Sequence, residues 1–331
     1  MSQPTPGDVY VSAPLTNISF NYVADQTMAI ADKMFPPVPV TIQAGIVWEW
    51  DLGYLLRNGM KPRSPGAESA GIGNKLNQNT YACVVEALHH DIPDQRRANE
   101  TSPINSDRAA TIQLTQQAWQ RREITLKAKA FKTSLWTGMT DQTGVSGTPS
   151  TNQFKQWDQT ASDPVSDVKL QCTTIQLKTG IRPNSMSMGQ QVWDKLMTNA
   201  SILDRLKFFG TPGNPTVVTM DAVAALFGLK QILVSSVVQA TSNEGAASLT
   251  TGFVIGKEYV LFYVPDSPGI DTPSAGYTFS WTGYLGATSV GSRMKKFRME
   301  PNAADRVEIE QAYDQNPMGP ALGGYASSVV V

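Results

Sequence analysis

The stretch VTIQAGIVWEWD, residues 40–51, alternates with a period of two. Val40, Ile42, Ala44, Ile46, Trp48 and Trp50 fall on one side, and Thr41, Gln43, Glu49 and Asp51 on the other, with Val47 the exception. Such alternation marks a strand with one apolar face to bury. At about 3.3 Å per residue the stretch reaches roughly 40 Å. Residues 80–92, TYACVVEALHHDI, have the β-branched and aromatic content of a return strand. Between them lies NGMKPRSPGAESAGIGNKLNQ, whose glycines and prolines make a mobile tip. The sum is a long hairpin that cannot be stable alone. Its tryptophans, with Tyr54 just beyond them, need a surface to cover them. Either a neighbouring molecule provides it, or the face folds back onto the chain's own core.

A second feature is the helix expected over residues 107–136. Asn105 or Ser106 can cap it, with Asp107 in the first turn. Ala110, Leu114 and Ala118 keep helical spacing, as do Ile124, Ala128, Phe131 and Leu135, and Gly138 ends the run. At about 1.5 Å per residue it spans roughly 45 Å, the length of a structural spine. Arg121, Arg122, Lys127, Lys129 and Lys132 read as its solvated face, with charge facing DNA as the second reading.

On either side the chain changes character. Residues 1–35 are rich in Pro, Ser, Thr and Asn, with scattered apolar residues that include Val9, Tyr10 and Phe20. This is the composition of an extended arm, and a neighbouring subunit is the simplest thing to hold it. A Gly/Ser/Thr-rich link at 138–152 leads to a compact α+β region. There Ser162-Asp163-Pro164 starts a helix closed by Gly180, and Ser185–Met188 is a short strand. Helices are expected at 190–198, 201–208 and 220–227, and strands at 231–239, 253–264 and 277–282. A strand pair, 294–299 with 306–314, follows before the tail GPALGGYASSVVV.

Composition narrows the function. Lysine plus arginine number 27 against 28 aspartate plus glutamate, so the net charge of -1 argues against a dedicated nucleic-acid reader. It leaves room for a surface that lines packaged DNA. Cys83 and Cys172 stand far apart in no partner motif, as buried thiols of a reducing cytoplasm do. No apolar run is long enough to span a membrane, and the N-terminus lacks the pattern of a signal peptide. His89 and His90 are the two histidines, and neighbours on a strand point to opposite faces, so a shared metal is not expected. There is no phosphate loop, no dinucleotide fingerprint and no nucleophile elbow. The motifs for catalysis are missing, and neither a cofactor nor an enzymatic role is expected. An arm, an aromatic hairpin and a long spine are parts for self-association.

The order of these parts resembles the tailed-phage major capsid protein family, with its Hong Kong 97-like capsid fold. TGIRPNSMSMGQQVWDKL at 179–196, ILDRLK at 202–207, IGKEYVLFYVPDSPG at 255–269, YTFSW at 277–281 and RVEIEQAYD at 306–314 are similar to phrases of that family. The resemblance implies an α+β fold with an N-terminal arm at 1–35 and a first peripheral part at 36–162. That part holds an extended loop at 43–88 and the spine helix at 107–136. It further implies an axial domain at 163–290, a peripheral strand pair at 291–316 and a tail at 317–331 that returns to the axial domain. It implies hexamers and pentamers of one chain closing an icosahedral head, with Val9, Tyr10, Phe20, Trp48, Trp50 and Tyr54 as candidate contacts between subunits. Encapsidated double-stranded DNA would be touched without sequence preference. Portal, scaffolding or decoration proteins would be partners, a membrane would not, and the product would be a virion component assembled in the host cytoplasm. Because no scaffolding segment precedes the arm, a separate scaffolding protein, or none, is expected. An encapsulin-like shell around protein cargo is the alternative on the same fold. A cytoplasmic hydrolase with an unusual site is the alternative from another class.

A nearly neutral chain offers DNA only local basic patches. Binding should therefore be weak, sequence-blind and salt-sensitive, falling steeply between about 50 and about 200 mM salt in a mobility-shift titration. Tight binding to one sequence at the higher salt would contradict this.

Overall fold

The structure is a computed structural model and describes residues 29–51, 53, 56–73, 75–99, 105–207, 218–246, 248–267, 272–286 and 291–331. The chain enters through helix α1 (Ala31–Met34) and strand β1 (Pro37–Val40), then forms β2 (Ala44–Trp50), β3 (Leu76–Ala82) and β4 (Val84–Pro93). A short helix, α2 (Asp94–Ala98), precedes the long helix α3 (Ser106–Ala130), and β5 (Gln142–Val145) and β6 (Gln153–Lys155) follow. Next come α4 (Pro164–Thr179), β7 (Ser185–Gly189), α5 (Gln190–Met197), α6 (Ala200–Lys207) and α7 (Met220–Phe227). Strands β8 (Gln231–Ser235), β9 (Val238–Ala240), β10 (Thr251–Phe253), β11 (Tyr259–Phe262) and β12 (Tyr277–Trp281) lead to α8 (Thr282–Leu285). The chain closes with β13 (Ser292–Met299), β14 (Ala304–Asn316) and β15 (Gly323–Ser327).

Two mixed sheets carry the fold. In the five-stranded sheet β14 is central: it pairs antiparallel with β4, β13 and β12, and β1 joins β12 in parallel. Helix α3 lies across it, and Ala110, Leu114 and Ala118 meet Ile92, Met294, Val307 and Ile309 in a small core. The six-stranded sheet runs β6-β5-β15-β11-β7-β8. One of its faces is covered by α4 to α7 over a core that includes Val168, Cys172, Trp193 and Phe227. A further core joins Ile30, Met34, Phe35, Leu126 and Phe131 to Val260, Phe262 and Tyr325 of the six-stranded sheet.

The helix ends follow local chemistry at three of the four termini of the long elements. The Asn105 side chain accepts from the Arg108 N–H at 3.0 Å and starts α3. Asp163 caps α4, Pro164 takes its first turn, and Gly180 closes it at φ 74°. The end of α3 differs from expectation: it stops at Ala130, not before Gly138. There the indole N–H of buried Trp136 donates to the Ala130 carbonyl at 2.7 Å, so the chain turns back into the core. Gly138 is needed for another reason, since a Cβ there would lie 2.3 Å from the Ala321 carbonyl oxygen.

Other expectations need correcting. Residues 29–35, assigned by composition to the arm, are core: Ile30, Met34 and Phe35 are at most 1% exposed. The segment 1–28, with Val9, Tyr10 and Phe20, lies outside the described residues. The long period-two strand is two strands, because the chain bends at 41–43, and the return strand breaks at buried Cys83. The link at 138–152 contains β5, which pairs in parallel with β15 and β6. The basic cluster on α3 is a solvated face only in part, since Arg121 and Lys132 are exposed and the others are not. Arg122 is fully buried and gives Asp32 two hydrogen bonds of 2.9 Å, and Arg121 clamps Glu86. Lys127 and Lys129 pair with Glu258 and Asp314.

Trp157 is the largest fully buried side chain among the described residues. It stacks on Tyr259 with ring centroids 4.9 Å apart, and its carbonyl accepts from Asn199 Nδ2 at 2.8 Å. Trp157→Ala should cost about 3–5 kcal/mol, as large-to-small changes of buried aromatics do. Chemical denaturation followed by circular dichroism reads this, and a loss under about 1 kcal/mol would show that the site collapses without penalty.

Candidate assembly interface

The hairpin is fixed at its root. Its strands pair from Ala44↔Ala82 to Trp50↔Leu76. Across the break at Cys83, the Cys83 N–H donates to the Gln43 carbonyl at 2.9 Å, and Gln43 Nε2 returns a bond to the Cys83 carbonyl at 3.1 Å. Asp314 Oδ2 accepts from the Ala82 N–H, and Asn316 Nδ2 donates to the Thr80 carbonyl, so the end of β14 holds β3. Tyr81 stacks on Phe279 of β12 with centroids 4.5 Å apart. Its ring lies over Gly45, where an added Cβ would come within 2.8 Å of Tyr81 Oη.

Strand alternation then sorts the side chains into two faces. Val47 and Tyr81 pack toward the small core of Val38, Val40, Tyr277 and Phe279. Glu49 shares their side of the strand and accepts from Asn79 Nδ2 at 3.0 Å, while the same nitrogen reaches the Met318 carbonyl. Burial pushes the Glu49 carboxyl above its ordinary value, against the Asn79 hydrogen bond. The opposite face carries Ile46 and Trp48, which are 53% and 54% exposed, with Leu76 of β3 at 43% and Ile42 in the preceding bend at 67%. The face richer in large apolar groups thus points away from the chain's own core. Beyond β2, Leu56, Met60 and Ile72 on the connecting loop are also exposed.

Of the six residues singled out from the sequence, Trp48 has a described side chain. It sits with Ile46 and Leu76 on the outward face. Trp50 lies in β2, but its side chain is outside the described residues, as are Tyr54, Val9, Tyr10 and Phe20. Sequence reasoning missed Tyr81 and Phe279, which anchor the root. The signal was a tyrosine placed opposite a glycine, and it becomes legible once the register is known. It also missed Val84 and Leu88 of β4, which are exposed beside the hairpin.

The far end of the five-stranded sheet is held by charge. Arg298 gives Asp94 two hydrogen bonds of 2.6 Å, Lys296 reaches Asp107, and Arg97 bridges Asp107 and Asp305. The guanidiniums of Arg298 and Arg97 hold the Asp94 and Asp305 carboxyls below their usual range. Among the described residues no group of three or more His, Cys, Asp or Glu is placed to hold a metal ion, and no helix is long and apolar enough to cross a membrane.

No protein-family model matches the chain. In sequence it is 23% identical over 280 residues to the major capsid protein of Burkholderia phage BcepMu, covering 81% of this chain and 82% of that one. In structure it is similar to a phage-related protein from Bordetella bronchiseptica, with a TM-score of 0.69, 18% identity, and 97% and 98% of the two chains covered. The capsid of Cyanophage P-SCSP1u gives 0.58 at 12% identity over 99% and 92%. The encapsulin of Synechococcus elongatus gives 0.55 at 9% identity over 100% and 92%, so the fold is shared with an encapsulin. A phage major capsid protein is thus similar to this chain over four-fifths of its sequence, and a phage capsid structure matches nearly all of its fold, so the chain has the Hong Kong 97-like fold of phage capsid proteins.

Proposed function

We propose that this chain is the major capsid protein of a tailed double-stranded DNA bacteriophage and self-assembles into its icosahedral head shell. The observation that carries the reading is the outward apolar face of the hairpin, with Ile42, Ile46 and Trp48 all more than half exposed. A ring such as Trp48 buries about 150–250 Å² when packed. At about 25 cal/mol per Å², covering its exposed half would contribute roughly 2–3 kcal/mol per subunit contact. Closed symmetry repeats such a contact around the shell, so each one can be moderate.

On this reading the subunits form hexamers and pentamers, the first 28 residues latch a neighbour, and the hairpin lies over one. The shell is a virion component assembled in the host cytoplasm, and its role is structural rather than enzymatic. Packaged DNA is met through non-specific contacts. Portal, scaffolding or decoration proteins are the other expected partners. The encapsulin-like alternative draws support from the shared fold. Ultraviolet absorbance and nuclease protection of purified particles separate the two: a shell that never carries nucleic acid, even from phage-infected cells, favours protein cargo.

The test is electron microscopy of the expressed full chain and of Ile46→Ser/Trp48→Ser. The wild type should give closed shells. The double variant should keep its helix content and thermal transition, within about 0.5 kcal/mol as exposed substitutions do, and lose its particles. A normal particle yield from a normally folded double variant would remove the hairpin from the interface. A wild type that stays a stable monomer would sink the shell reading itself.

A further inference from the structure

Three distant pieces of the chain converge on one carboxyl. Glu123, midway along α3, is fully buried. Its Oε1 accepts from the backbone N–H groups of Ile30 at 2.5 Å and Ala31 at 2.6 Å. Its Oε2 accepts from Ser235 Oγ, at the end of β8, at 3.1 Å. Ile30 and Ala31 begin α1, a helix whose own cap residue has no side-chain acceptor. Glu123 therefore supplies an acceptor that the first turn lacks. It joins the root of the N-terminal segment, the long helix and the edge strand of the six-stranded sheet.

The charged groups around it are accounted for. From α1, Asp32 turns its carboxylate to the Arg122 guanidinium, and Lys33 is exposed. From α3, Arg122 also lies over the rings of Trp119 and Tyr313. One turn further along, Lys127 pairs with Glu258, which accepts from the Tyr325 hydroxyl at 2.7 Å. From β8, Ser235 offers a neutral hydroxyl.

We propose that Glu123 is a proton-operated latch on the root of the N-terminal segment, holding residues 29–35 fast when protonated and loosening them when ionised. The geometry serves both states. The ionised carboxylate accepts three hydrogen bonds. The neutral acid keeps both N–H bonds on Oε1 and turns the third around, donating its Oε2 proton to Ser235 Oγ. Burial is the main reason the ionised form is costly, and it lifts the Glu123 carboxyl from 4.5 to about 7. The three hydrogen bonds work against that rise, and the nearby Asp32 carboxylate adds to it.

The folded carboxyl holds a proton that the opened state releases between pH 4.5 and about 7. Opening therefore becomes easier as pH rises through that window, and levels off above it. Lys127, whose ammonium burial brings down to about 8, works in the opposite sense and above the window. The test is hydrogen exchange by mass spectrometry on the full chain at pH 6 and at pH 8, with each rate corrected for intrinsic exchange. Protection of the 29–35 segment should fall about tenfold in the wild type. In Glu123→Gln, whose amide can make the same three bonds without titrating, it should hardly change. Unchanged wild-type protection, or an equal fall in the Gln variant, overturns the proposal. Should the Gln variant not fold, a wild-type pH series decides. A one-proton slope that ends near 7 supports the latch, and any other profile removes it.

Discussion

The thirteen-residue strand β14 is the constraint on which the rest of the structure depends. It is hydrogen-bonded on both edges, to β4 on one side and to β13 and then β12 on the other. Because alternate side chains of a strand face opposite ways, its register assigns every neighbour at once. Val307 and Ile309 enter the core under α3, while Arg306 and Glu310 meet Asp91 and Arg293 across the ladder. Its final turn of sequence, Asp314 to Asn316, holds the hairpin. A slip of one residue would turn Val307 out to solvent and unhook the hairpin together.

The hairpin shows how alternation can be read correctly and still be placed the wrong way round. Period two sets Ile46, Trp48 and Trp50 on one side, and the usual rule would press that side onto the core. Here Tyr81 decides otherwise. Its ring fits over Gly45 and against Phe279, which commits the face with Val47 and Glu49 to the interior. The polar groups that go in are satisfied, since Glu49 has Asn79 and Asn79 has the Met318 carbonyl. One glycine and one aromatic ring thus leave the larger apolar groups available for a different contact.

What was legible in the sequence was local. The Asn105 and Asp163 caps, the Gly180 stop and the alternation of β2 each need a few neighbouring residues, and each can be read from them. What was not legible depends on partners far along the chain. The polar look of residues 1–35 hides Ile30, Met34 and Phe35, whose neighbours lie near positions 126 and 260. The α3 helix stops at Ala130 because Trp136 folds back, and no propensity encodes that. Arg122 has the residue type of a solvated face but is buried against Asp32, ninety residues upstream. Strand β5 looks like a linker because its pairing partner, β15, is more than 180 residues away.

That last separation bears on synthesis. Strand β15 is interior to the six-stranded sheet: β5 and β6 lie on one side of it, and β11, β7 and β8 on the other. While the chain is still growing on a ribosome, residues 323–327 are the last of these strands to emerge. Until then the two halves of the sheet have no ladder between them, and Trp157 lacks the Val329 carbonyl that its backbone N–H requires. The fold therefore carries its own check on completeness. A chain cut short before this point leaves the six-stranded sheet in two halves, however well its long helix and hairpin have formed.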